Sequence, residues 1–231
     1  MQAIVIAQNQ EEREFLSYVL RHSGLSVART AAVKLILNSL HAHPVDLILF
    51  APGDMAALAA EAQAIREFSQ APLLVLVDPL TEDAHCVILD AGVDLVLTRP
   101  LSPRILSRYV KVFLQRAGSV PLSILMPIEI EGLSLDPGTR AVTLPDGTRQ
   151  HLTPLEFRLL YILMTNPEQV IPADVIVERV WGYSAEGSRE LVRGLVRRLR
   201  RKIEPDTTFS HYIHTHPGIG YRFSISNQSL L

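Results

Sequence analysis

At 231 residues, 48% of them hydrophobic and with a mean hydropathy of +0.20, the chain has the apolar material for two packed domains and too much of it for disorder. No apolar run approaches the ~18 residues of a membrane span, and the opening stretch MQAIVIAQNQEE lacks the basic segment of a secretion signal. A single cysteine, Cys86, excludes an intramolecular disulfide and a thiolate metal cluster, so a cytoplasmic protein is expected. The net charge is only −2, but the charge is unevenly placed.

Four continuous apolar runs open the chain: Ala3–Ala7, Asp46–Phe50, Leu73–Val77 and Asp94–Thr98. Unbroken runs, as opposed to alternating ones, mark strands covered on both faces, as in a parallel sheet. Helix-like stretches separate them at Glu11–Ser23, Met55–Phe68, Glu82–Ala91 and Pro103–Arg116, with a further helix over Ala32–Ala42 and an edge strand over Leu25–Arg29. The pattern predicts a (βα)₅ doubly wound domain over residues 1–117, with its ligand site at the C-terminal strand ends near Ala7-Gln8, Ala51 and Val77.

Residues 118–125, GSVPLSIL, have a turn-forming start and no helical period, which places a linker there and a second domain over 126–231. That half begins with short strand-like pieces and turns at Asp136-Pro137-Gly138 and Pro145-Asp146-Gly147. Thr153-Pro154-Leu155-Glu156 supplies an N-cap, a proline at N1 and an acid at N3, so a helix starts there. A second helix is expected over Ala173–Trp181. The last stretch, HYIHTHPGIGYRF, reads as a hairpin whose glycines supply the turn.

Between them lies the charge anomaly. Ser188–Lys202, SRELVRGLVRRLRRK, carries seven bases against one acid, Glu190. A local charge of that size on one helix suits a polyanion, most simply the phosphate backbone of DNA. At ~100° per residue, Val192, Val196, Leu199 and Ile203 fall on one stripe and form the expected core face. Gly194, Arg197 and Arg201 lie opposite. A buried face backed by a basic one fits a helix lying in a major groove. Arg197, Arg198 and Arg201 are therefore the expected base readers, with Arg189, Arg193 and Arg200 as phosphate contacts. Gly194, on the outer face, would permit close approach to DNA. Leu191 and Leu195 have two uses open to them, contact with thymine methyls or packing on a neighbouring helix.

The segments DLILFA with PGDM, PLLVLV and DAGVDLVLTRPLSP resemble the receiver domain of two-component response regulators. LTPLEFRLLYIL, ERVWGY, RRLRRKIEP and GIGYRF resemble the OmpR/PhoB-type winged-helix DNA-binding domain. The resemblance implies an α/β receiver-like domain followed by an α+β winged helix-turn-helix domain with a four-stranded N-terminal sheet, three helices and a wing. It implies double-stranded DNA as partner and transcription as process. It also aligns the receiver's two metal-binding acids with Ala7 and Gln8, its phosphoacceptor aspartate with Ala51, its hydroxyl residue with Val77, its lysine with Arg99 and its aromatic switch residue with Val96. Each departs from the pattern. Mg²⁺ needs hard oxygen ligands and an acyl phosphate needs a carboxylate nucleophile, so neither phosphotransfer nor a metal is expected here. Asp54, three residues past Ala51, is either a substitute acceptor or a turn residue.

In this family the active dimer is pinned by surface ion pairs on the fourth and fifth helices. Here Val87, Ile88, Ile105 and Tyr109 stand at or near those places, and either form an apolar dimer face or belong to the internal core. On the wing, Pro217 replaces the arginine that relatives send into the minor groove, leaving Thr215 to reach a phosphate. His211, His214 and His216 offer no third ligand of matching geometry, so no metal site is expected. In relatives the loop Gly182–Gly187 faces RNA polymerase, which makes the polymerase a candidate second partner. No phosphate loop or nucleophile–base pair is present, and no cofactor or enzymatic activity is expected. The reading is a sequence-specific, dimeric regulator, with a receiver-like half that binds a protein or small ligand as the alternative.

Overall fold

Unbroken apolar runs leave a strand no face for water, and in the computed structural model of the chain these runs are covered on both sides. The structure describes residues 1–118, 126–182, 188–204 and 211–224. It divides into two compact units, Met1–Ala117 and Gly118–Leu231. Among the described residues, no helix is long and apolar enough to cross a membrane.

In the first unit β1 (Gln2–Ala7), β2 (Ser26–Thr30), β3 (Leu47–Ala51), β4 (Leu73–Val77) and β5 (Leu95–Thr98) form a parallel sheet in the order β2-β1-β3-β4-β5. β3 and β4 are buried at every position, whereas the edge strand β2 is largely exposed. Helices α1 (Gln10–His22), α2 (Leu37–Ala42), α3 (Leu58–Phe68), α4 (Glu82–Asp90) and α5 (Pro103–Gly118) alternate with the strands. The helix expected over Ala32–Ala42 is broken into a 3₁₀ turn at Val33–Leu35 and a short α2. Similarly, α3 starts only at Leu58, because Asp54 Oδ1 takes the Ala56 N–H (2.9 Å) and turns the chain. Asp54 is thus the turn residue of its loop. A buried ion pair pins α3 to the sheet: the Asp94 carboxylate accepts from Arg66 Nη2 and from the Leu73 N–H (3.0 Å), while Arg66 Nε donates to Gly92 O (2.8 Å).

Of the four residues expected at a dimer face, Val87 (56% exposed) and Ile105 (48%) project outward. Ile88 does not. It is 4% exposed and belongs to the internal core with Ile65, Val75 and Val93, because α4 must turn one apolar ridge onto the sheet. Tyr109 is half-buried.

The second unit opens with an antiparallel four-stranded sheet, β6 (Ile128–Ile130), β7 (Leu133–Asp136), β8 (Ala141–Thr143) and β9 (Arg149–His151), in sequence order. Helices α6 (Pro154–Met164), α7 (Ala173–Trp181) and α8 (Ser188–Ile203) follow. The expected capping box is present: Thr153 Oγ1 accepts the Glu156 N–H and Glu156 Oε2 accepts the Thr153 N–H (2.9 Å). Gly182 ends α7 at φ +87°, with Trp181 fully buried beneath. The terminal hairpin, β11 (Ile213–His216) and β12 (Gly220–Phe223), gains a third member in the two-residue β10 (Ile171–Pro172), too short to announce itself in sequence. Of the expected linker, residues 119–125 lie outside the described residues, and residue 118 ends α5.

Candidate functional site

α8 collects the basic residues, and its packing against α6 and α7 decides which of them face water. Leu191, Val192, Leu195, Val196, Leu199 and Ile203 are all buried, joined by Gly194 and Arg198. The buried arc therefore spans ~200° of the helix, not a narrow stripe. Leu191 and Leu195 pack inward, as one of their two readings had it. Gly194 is likewise inside, which removes its expected close approach to a ligand.

Arg198, expected among the base readers, is 8% exposed, with its Nε 3.8 Å from Glu156 Oε1. Glu156 is itself buried and also accepts from Lys202 Nζ (2.7 Å), which donates in turn to His151 O (2.9 Å). Burial pushes the Glu156 pKa up. The charges of Lys202 and Arg198, with the hydrogen bonds from Lys202 and Thr153, outweigh it and hold the carboxyl below its ordinary value. Two of the seven bases on α8 thus point inward to one acid. Sequence reasoning found Glu156 as a cap and missed this second duty, since nothing local links positions 156 and 202.

Arg200 is also committed. Its Nε and Nη2 donate to Ile213 O (3.2 and 2.6 Å) and Nη2 donates to Thr215 Oγ1 (2.9 Å). Burial lowers its pKa, with Glu204 opposing. Its expected place as a phosphate contact is corrected: it fastens the helix to the wing. From the end of α8, the buried Glu204 carboxylate does the same, accepting backbone N–H groups of His211 (2.8 Å), Tyr212 (3.0 Å) and Ile213 (3.0 Å). A carboxylate that caps three amides replaces the ladder partners a strand start lacks.

What remains outside is Arg189, Arg193, Arg197 and Arg201, all exposed and spaced by four. Such a row drifts only slowly around a helix and runs ~18 Å along it, about five base-pair steps. Beside the row a cleft of about 180 Å³ separates α8 from the wing, its polar lining being Arg189, Glu190, Arg193, Thr215, His216 and Tyr221. Thr215 is exposed, and because its oxygen already accepts from Arg200, its own proton is left to donate outward. Burial raises the Tyr221 pKa against the pull of Arg200 and Arg193, so the phenol stays protonated as a donor. Gly220 has a steric duty: a Cβ there would meet Ile171 O at 2.0 Å, so β12 can lie against β10 only without a side chain. His211 is exposed while His214 and His216 are half-buried, and among the described residues no group of three His, Cys, Asp or Glu is placed to hold a metal ion.

At the other unit's strand ends, Ala7, Ala51 and Val77 are buried. The Gln8 side chain arches over the β3–α3 loop, so close that a Cβ on Gly53 would sit 1.7 Å from its Oε1. Two guanidinium groups hold this end. Arg13 Nη1 donates to Ala7 O (2.6 Å) and Gln8 O (3.2 Å). Arg99 binds Glu12 through two parallel bonds (Nε–Oε1 2.8 Å, Nη2–Oε2 2.9 Å) and approaches Asp78 (3.8 Å), and the Glu12 bond raises its pKa further. Arg13 was not anticipated from sequence; its position one turn into α1 was the available signal.

Residues 147–223 match the family described as Transcriptional regulatory protein, C terminal. The DNA-binding response regulator MtrA of Mycobacterium tuberculosis is 31% identical over 223 residues, covering 95% of each chain. The chain is a response regulator of the OmpR/PhoB family. An uncharacterised transcriptional regulatory protein of Bacillus subtilis, YclJ, is 33% identical over 161 residues, spanning 69% of this chain and 70% of that one. The phosphate regulon regulator PhoB of Escherichia coli is 29% identical over 230 residues, 96% of each. Among solved structures, a mutant of RitR superposes with a TM-score of 0.76 at 18% identity over 96% of this chain and 98% of that one, which shows the shared fold. This OmpR/PhoB regulator is thus a DNA-binding transcriptional protein of receiver-like and winged-helix units.

Because the Glu156 carboxyl lies below its ordinary 4.5, the ion cluster stabilises the fold fully above that pH and loses its contribution as pH falls through the folded value. Glu156→Gln leaves Arg198 without its counter-charge and is expected to cost ~3–5 kcal/mol at neutral pH. Urea unfolding followed by Trp181, the chain's one tryptophan, reports on this unit within the whole protein. The gap from wild type should close in acid; a gap unchanged between neutral and acid pH would show that the cluster is not the cause.

Proposed function

We propose that this protein is a sequence-specific transcriptional regulator that works as a dimer and without aspartyl phosphorylation. The observation that carries the DNA reading is the row Arg189, Arg193, Arg197 and Arg201, exposed at four-residue spacing along α8. In this reading Arg197 and Arg201 reach guanine edges in the major groove. Arg189 and Arg193, beside the wing cleft, bind phosphate together with the Thr215 hydroxyl.

Independence from phosphorylation is supported by the strand ends. Ala7 and Ala51 offer no side-chain oxygen, Gln8 offers one neutral amide, and the nearby Glu12 is held by Arg99. An acyl phosphate at this end would need a carboxylate nucleophile and a Mg²⁺ site, and these residues provide neither. Dimerisation is supported by Val87 and Ile105, apolar side chains exposed on α4 and α5. RNA polymerase is proposed as a further partner; the loop considered for it, residues 183–187, lies outside the described residues.

A second reading, a receiver-like unit that binds a small ligand to control DNA binding, is favoured by a cleft of about 480 Å³ with Phe15, Leu16, Leu76 and Leu106 on its walls and Asp78 and Arg99 on its rim. Its volume lies in the range that small-molecule sites occupy.

Four measurements check these readings. In anisotropy titrations on a selected operator, Arg197→Ala or Arg201→Ala should weaken specific over non-specific binding by ~1–3 kcal/mol. Arg193→Ala should flatten the salt dependence by about one counterion on all sequences. Arg198→Ala should lower thermal stability first; a pure loss of sequence preference in that variant would restore it as a reader. Beryllofluoride with Mg²⁺ should leave the association state and DNA affinity unchanged, and a metal-dependent response would count against the unphosphorylated mode. By sedimentation the full chain should be dimeric at tens of micromolar and Val87→Asp/Ile105→Asp monomeric. A monomeric wild type removes the dimer.

A further inference from the structure

The tip of the wing is held by backbone hydrogen bonds on both sides and carries no Lys or Arg. From Thr215 to Tyr221 it reads THPGIGY. A loop beside phosphates without Lys or Arg gains nothing from counterion release. Its one large exposed side chain is apolar: Ile219, 59% exposed, with Pro217 and Gly218 also exposed in the same turn.

The backbone around Ile219 is fixed from both sides. Its N–H donates to His216 O (3.0 Å) and its carbonyl accepts the Ala173 N–H (3.0 Å). Gly220 next to it lies so close to Ile171 that an added Cβ would meet the Ile171 carbonyl oxygen at 2.0 Å. Arg200 and Glu204 hold the base of the hairpin to α8. The turn also lies directly across the cleft from Arg189 and Arg193, so a duplex held by the arginine row passes the wing tip. A stiff loop that holds an isoleucine and a proline against DNA has the chemistry of a wedge. Apolar side chains of this kind part neighbouring base pairs from the minor groove and kink the duplex.

We propose that Ile219, flanked by Pro217, is such a wedge, and that this regulator kinks its operator beside the contact made by α8. The wedge takes over the wing's share of recognition, and it selects by deformability: a pyrimidine–purine step, the easiest to unstack, is favoured where Ile219 enters. The inference rests on the DNA-binding reading of the arginine row.

The experiment uses the full chain and an operator fragment obtained by selection from random DNA, labelled at both ends. Energy transfer between the ends measures the bend and anisotropy measures affinity. Wild type should bend the fragment. Ile219→Ser should straighten it and weaken binding about tenfold, and Ile219→Leu should keep both. Replacing a TA or CA step at the entry point by a stiff A-tract should weaken wild type more than Ile219→Ser. An unbent wild-type complex, or a bend that survives Ile219→Ser, overturns the wedge. An affinity loss in Ile219→Ser that appears only on two-half-site DNA does so as well, since it assigns Ile219 to contact between protomers. Arg197→Ala on the same fragment tests the helix face separately. If that variant weakens specific binding while the wild-type complex is straight, the arginine row stands and the wedge alone falls.

Discussion

The carboxylate of Glu156 sets the roll of α8. It is buried at the start of α6, tied to Thr153 by the capping box, and reaches both Arg198 and Lys202 on α8. A helix with seven bases has many nearly equivalent ways to turn charge outward, and apolar packing alone leaves the choice to small differences in side-chain shape. An acid that is desolvated unless two particular bases meet it removes that freedom, because leaving it unpaired costs several kcal/mol. With Arg198 and Lys202 drawn in, and Arg200 drawn to the wing, the row from Arg189 to Arg201 is the face left over. In the DNA-binding reading, the choice of that face begins with a contact that touches no ligand.

That division explains what could and could not be read from the residues. The parallel sheet was legible because a strand covered on both sides has no alternative to a continuous apolar run, and β3 and β4 are such strands. The cap at Thr153 was legible because its partners lie within one turn. The face of α8 was only half legible. A helical wheel scores Val192, Val196, Leu199 and Ile203 as core and every arginine as surface, so it places the buried arc about 70° away from its true centre. The error came from Arg198 and Gly194, whose burial depends on an acid forty residues away and on packing across two neighbouring helices. Ile88 misled in the opposite sense: one residue from the exposed Val87, it sits on the ridge that α4 turns to the sheet. A two-residue strand such as β10 carries no period at all.

At the receiver-like strand ends two guanidinium groups stand among the acids. A site that binds a divalent cation and a phosphoryl group concentrates acids around one nucleophile. In the unphosphorylated reading proposed above, the positions that would hold those acids are Ala7, Gln8 and Ala51, and the guanidinium groups of Arg13 and Arg99 lie nearby. Arg13 satisfies the carbonyls at the end of β1, and Arg99 joins the start of α1 to the end of β5 through Glu12. These bonds need no metal and no turnover to form. Such a site is held in one arrangement by its own residues, where an acidic site would wait for a charge to arrive.

The same economy of charge shapes the second unit. Arg198, Arg200 and Lys202 of α8 are tied into the unit's own structure, and the wing, fastened at Ile213 and Thr215 by Arg200 and at three amides by Glu204, has no Lys or Arg at its tip. A cation on a flexible arm can find a phosphate by itself, since Coulomb attraction acts at a distance and forgives misplacement. An apolar side chain gains only on contact, so it must be delivered in place. The fixed backbone of this hairpin, from the close approach at Gly220 to the carboxylate under its first strand, is what a wing tip without Lys or Arg requires and a cationic tip does not.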